Sequence, residues 1–196
     1  MSIFDKKPKS YLAGPFFNPP QKDRISELER LLERVGCNYF SPMTHGGVIK
    51  PGDDPRVLDE TFAMDHSEIE RCDFMLVNLD FLLPTNTKLC LIEQRGDITG
   101  APVHVIKQLY LSDPGSVWEM GAAYQYGKPI LGLKTQGSQL NLMLARSCLC
   151  VTKSLEDLER VLQIFVSAVI DKDPKIYTST VALIQSEYKW TGSEAG

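Results

Sequence analysis

Three places in this 196-residue chain carry side chains whose types and spacing could do chemistry. The first is Tyr11-Leu12-Ala13-Gly14-Pro15-Phe16-Phe17-Asn18, where two adjacent aromatic residues follow a short apolar run on a proline-rich turn. Neighbouring rings in an exposed turn are uneconomical unless they face a flat apolar partner, and a nucleobase is such a partner. The second is Asp65, eight positions before Asp73 at the start of an apolar run. The third is Asp113-Pro114-Gly115-Ser116-Val117-Trp118-Glu119-Met120-Gly121, with an acid at an expected helix N-cap and a second acid one and a half turns further on. Gly121 and Ala122 beside Glu119 permit close approach of a backbone or ligand. By themselves these acids are equally explained by capping and solvation, and the two rings by core packing.

The elements that must position these residues follow from hydrophobic periodicity. Residues 10–14, 37–40, 73–79, 129–133 and 149–152 are expected strands, the third a continuous apolar run typical of a buried parallel strand. Helices are expected over 21–35, 57–72, 114–126 and 155–170, with a short one near 141–145 and a weaker piece at 178–189. Prolines 15, 19 and 20 are expected to keep 15–20 irregular, and 41–55 is expected to be a loop. Residues 81–112 break the alternation and are expected to be an insertion, with strand-like pieces at 88–92 and 103–106. The result is an α/β fold, a three-layer Rossmann-like (flavodoxin-like) sandwich with a mostly parallel five-stranded sheet and an insertion after the third strand. One domain over 1–196 is expected, with a tail at about 172–196. Ligands of such sheets bind beyond the carboxyl ends of the strands, where the three places fall.

Composition narrows the function. A net charge of -4 with no run of Lys and Arg argues against a nucleic-acid partner and suits a small, nearly neutral ligand. The five cysteines show no zinc spacing, so no metal is expected and buried free thiols are. Lys6, Lys7, Lys9 and Asp5 interrupt the start, and no window is long and apolar enough for a membrane helix. The expectation is a cytoplasmic protein without a membrane partner. His45, His66 and His104 have no partner at metal spacing, and Trp118 is expected to pack its helix.

The segments YLAGPFF and DPGSVWEMGAAYQYGKPILGL resemble the nucleoside 2-deoxyribosyltransferase family, the likeness running from about Tyr11 to Thr152 apart from the insertion. The resemblance implies Glu119 as the catalytic nucleophile, Asp113 as an acid near the base and Asp65 as a second acid, its D-x3-I-x3-D spacing to Ile69 and Asp73 being kept. It implies Tyr11 as the residue orienting the nucleophile, and Gly14, Phe16, Phe17 and Gln21 as substrate-binding, with Phe16 stacking on the base. Asn141, with Met143 beside it, would reach the sugar in a neighbouring subunit, so a homo-oligomer between dimer and hexamer is implied. Partners would be a deoxynucleoside and a free nucleobase, with no cofactor.

Those roles make chemical sense. Cleaving the C1′–N bond leaves positive charge on the sugar and negative charge on the base; one carboxylate can trap the sugar as an ester while another acid supplies the proton. Base exchange through a deoxyribosyl-Glu119 intermediate is therefore expected. The alternative is an N-glycosidase that hydrolyses (deoxy)nucleoside 5′-monophosphates. The turn Gly14–Pro20 carries no cation or hydroxyl to hold a phosphate, which favours the nucleoside; Ser116, Arg146 and Ser147 keep the alternative open. A catalytically silent nucleotide sensor is the third possibility.

Overall fold

A computed structural model describes residues 7–47, 49–80, 112–136 and 140–190. Its five strands are β1 (Lys9–Ala13), β2 (Asn38–Phe40), β3 (Phe74–Asn78), β4 (Ile130–Leu133) and β5 (Cys150–Thr152). They form one sheet in the order β2-β1-β3-β4-β5, with every pairing parallel. This is the flavodoxin-like order, in which the crevice at the strand ends opens where the order reverses, between β1 and β3.

Side-chain alternation along the strands divides the interior into two cores. Leu12, Phe74, Leu76, Leu131 and Leu133 face one layer, which comprises α1 (Pro19–Arg34), α6 (Leu155–Asp171) and α7 (Pro174–Tyr188). Tyr11, Ala13, Met75, Val77 and Ile130 face the other, which comprises α3 (Pro55–Arg71), α4 (Pro114–Gln125) and α5 (Leu142–Ser147). A period of two makes consecutive residues serve opposite layers. Tyr11 and Leu12, both fully buried, are the case that matters for the site.

Three expectations need correction. Pro19 and Pro20 do not exclude regular structure: they are the first residues of α1. The missing N–H of a proline costs nothing in a first helical turn, where that donor has no intrahelical acceptor, and its φ is already helical. Asn18 caps the helix, its Oδ1 accepting the Gln21 N–H at 3.1 Å. Residues 41–55 are not all loop, because Pro42–His45 form a single helical turn, α2, begun in the same way. The tail is more ordered than its weak pattern suggests. Asp173 caps the fifteen-residue α7, and Ile184 and Tyr177 dock it onto the α1/α6 core. The strand-like pieces expected at 88–92 and 103–106 lie outside the described residues.

Burial pushes the thiols of Cys37, Cys148 and Cys150 up to about 12 and that of Cys72 to about 11, so all four are protonated packing groups. Among the described residues no helix is long and apolar enough to cross a membrane, and no group of three His, Cys, Asp or Glu is arranged to hold a metal ion.

Candidate active site

The centre of the site is a contact between a strand and a helix 108 positions apart in sequence. Tyr11, in the middle of β1, points into the α3/α4 layer and donates its phenolic O–H to Glu119 Oε1 at 2.7 Å. Burial, then the charge of Glu119, holds the phenol far above its ordinary range, so Tyr11 remains a hydrogen-bond donor at any working pH.

Glu119 is placed by the start of its helix. Asp113 is the N-cap of α4, its Oδ2 accepting both the Ser116 N–H at 2.7 Å and the Ser116 hydroxyl at 2.8 Å. A Cβ on Gly115 would stand 3.1 Å from that same oxygen, so the glycine leaves the carboxylate its space. Six residues along an α-helix cover about 9 Å and one and two-thirds turns. That interval carries Glu119 onto the inner face, toward Tyr11.

Asp65 comes from α3, the neighbouring helix. Its Oδ1 is buried with no hydrogen-bond partner among the described residues. A buried carboxyl oxygen without a donor favours the protonated form, and burial raises Asp65 from its ordinary 3.8 to about 6. Glu119 rises further, from 4.5 to about 8. Burial is the main cause, the Tyr11 hydrogen bond acts against it, and the charges of Asp65 and Asp113 add to it. Glu119 thus lies in the field of the other two acids, and both Glu119 and Asp65 hold a proton well above the usual carboxylate range.

The β1–α1 turn forms a second group. Gly14 sits against β3: a Cβ there would lie 2.9 Å from Asn78 Cβ and 2.8 Å from Ile25 Cδ1. Phe16 and Phe17 stack with ring centres 5.8 Å apart and planes 15° apart. They differ in setting, because Phe16 packs partly on the α1/α6 core while Phe17 is 67% exposed. Gln21 is buried, and its side-chain oxygen accepts the Phe17 N–H at 2.8 Å, which fixes the turn. Asn141 and Met143 stand apart from both groups. Asn141 caps α5 by accepting the Met143 N–H at 2.9 Å, and Met143 is 75% exposed.

Several neighbours of the site were not anticipated from sequence. Phe40 stacks on Tyr11 with centres 5.6 Å apart, and His45 stacks on Phe40 at 5.5 Å, making a short ladder from the phenol to the surface. Their sequence signal was present, since a strand-end Phe in register with Tyr11 must share its face. Trp118 is half exposed and, rather than packing only within its helix, meets Phe62 and His66 of α3. His66 Nε2 is 3.0 Å from the Tyr126 hydroxyl.

Comparison with known proteins bears on the fold. No protein-family model matches the sequence, and no curated protein does. Solved structures do match. A 2-deoxyribosyltransferase from Bacillus psychrosaccharolyticus is 25% identical, with a TM-score of 0.56 over 77% of this chain and 90% of its own. A 2-deoxyribosyltransferase from Leishmania mexicana is 18% identical, with a TM-score of 0.51 over 80% and 97%. A conserved protein from Enterococcus faecalis V583 is 17% identical, with a TM-score of 0.54 over the same shares. The chain therefore has the fold of the 2-deoxyribosyltransferases.

Proposed function

We propose that this protein exchanges the base of 2′-deoxynucleosides, with Glu119 as nucleophile. The observation that carries the reading is the Tyr11–Glu119 hydrogen bond, made inside a cluster that includes the unpartnered Asp65. A carboxylate held by one donor keeps its second oxygen for an anomeric carbon, and the phenol fixes its direction. Glu119 attacks C1′ as the C1′–N bond breaks, giving a deoxyribosyl ester. The electron pair of that bond leaves with the base, which takes a proton from Asp65 or Asp113. An incoming base then attacks C1′ from the face the first one left, gives up its N–H proton to the same acid and releases Glu119. Two inversions return the β-deoxynucleoside.

The β1–α1 turn supplies the platform. Phe16 and Phe17 offer a ring face to the base, and Gln21 keeps the turn from opening. Asn141 and Met143 serve the sugar of an adjoining subunit, which accords with their exposure at the start of α5.

The test is incubation with deoxyinosine, with and without free adenine, with products separated by chromatography. Deoxyadenosine should form only when adenine is present, and Glu119→Ala should lower its formation by a factor on the order of 10⁴ or more. An active Glu119→Ala protein would overturn the assignment. Hypoxanthine released at the same rate without adenine would mark a hydrolase, and no product in either case a binding protein.

A further inference from the structure

A second buried acid lies at the carboxyl end of β3, outside the catalytic cluster. Asp80 is 6% exposed, and both its oxygens are occupied. Oδ1 accepts the backbone N–H groups of Thr135 at 2.7 Å and Gln136 at 2.9 Å, while Oδ2 accepts the Thr135 hydroxyl at 2.7 Å. One carboxylate therefore fastens the end of β3 to Thr135 and Gln136, just beyond β4. The anchor continues in the other direction. The Asp80 N–H donates to Asn78 Oδ1 at 3.3 Å, and Asn78 is the residue on which Gly14 rests. The buried Lys134 lies in the field of Asp80.

We propose that Asp80 is a positioning residue for substrate binding: held by Thr135 and Gln136 just beyond β4, it fixes through Asn78 the place of the aromatic turn after β1. This inference rests on the base-exchange reading, because the aromatic turn is the segment assigned to the base. Asp80 touches no reacting atom. Its loss loosens the aromatic turn while Tyr11 and Glu119, which are bonded to each other, keep their geometry. The expected signature is weaker binding with the chemical step little changed.

The geometry also grades the substitutions. Asp80→Ala removes all three hydrogen bonds and strands two backbone N–H groups. Asp80→Asn keeps a carbonyl oxygen for them, and the Thr135 hydroxyl can turn to accept from the new amide. Thr135→Val deletes only the hydroxyl bond. KM for deoxyinosine should rise about tenfold or more in Asp80→Ala, with kcat within about threefold of the parent, and Asp80→Asn should recover most of the loss. Thr135→Val and Asp80→Asn should not be additive, because they act on the same bond.

Equilibrium binding of deoxyinosine in a Glu119→Gln background separates this inference from the reading beneath it. Kd raised about tenfold by Asp80→Ala in that background supports the positioning role. An unchanged Kd in a folded Asp80→Ala protein overturns it and leaves base exchange standing. Should Asp80→Ala fail to fold, the same comparison is made with Thr135→Val, where unchanged Kd and KM likewise overturn it. A Glu119→Gln parent that binds no deoxynucleoside, together with a wild type that exchanges no base, removes both.

Discussion

At the scale of single residues, the site is governed by how many protons Asp65 and Glu119 hold. With Asp65 near 6 and Glu119 near 8, one proton stays in the cluster between those values. Between them that proton sits mainly on Glu119, and the reacting form is the minor one with the proton on Asp65 and the charge on Glu119; below them both acids are protonated and above them neither is. The pH profile of kcat/KM for exchange should therefore be bell-shaped, with limbs near pH 6 and 8 that belong to the cluster as a whole. Tyr11→Phe removes the one interaction that lowers the Glu119 value, so the upper limb should move to higher pH. Its rate should fall by about 10²-fold, as when one donor to a reacting oxyanion is lost.

The same shift is a statement about stability. Glu119 binds its proton more tightly folded, at about 8, than at its ordinary 4.5. Its contribution is complete below the lower value and is lost as pH rises through the upper one. Glu119→Gln imitates the protonated side chain at every pH. Urea midpoints measured at pH 5 and pH 9 should accordingly fall less for Glu119→Gln than for the parent.

At the scale of elements, the sheet and its helices were legible because each strand is a short apolar run and each long helix has one apolar face. The misread segments share a cause. Pro19 and Pro20 begin a helix rather than interrupt the chain, and Asn18, Asp54, Asp113 and Asp173 all show the local rule of a capping acceptor followed by proline at the helix start. The cap at Asp113 and the alternation that aims Tyr11 could be read from sequence, but their meeting could not. It depends on α4 lying across β1 and β3, which is set by packing of Met120 and Ala123 into the inner core. Asp80 gave no local signal because its partners are more than fifty positions away. Gly14 tests the fit of the turn. Gly14→Ala would push a methyl group into Ile25 and Asn78, and should cost about 1–3 kcal/mol of stability by urea denaturation while weakening substrate binding.

At the scale of the whole molecule, the exposed Leu142 and Met143 sit beside Asn141 on a short helix that contributes little to its own core. If Asn141 serves the sugar of an adjoining subunit, two inactive proteins should repair one another. Mixing Glu119→Ala with Asn141→Ala subunits, after dissociation and reassociation, should restore about a quarter of parental activity, because half of random dimers are mixed and each holds one intact site of two. Recovery of none would place Asn141 in its own subunit's site, and an active Asn141→Ala protein would place it in no site.

The pleat of β1 carries a consequence of its own. Tyr11 and Leu12 are adjacent, yet one belongs to the chemistry and the other to the packing of Leu28 and Phe165. Inserting or deleting a single amino acid just ahead of them, with the ladder to Phe74 and Met75 re-forming one step out of phase, would deliver an isobutyl group to Glu119 and drive a hydroxyl into oil. The strand is in this sense a ruler graduated in single residues, and its zero mark is the phenol.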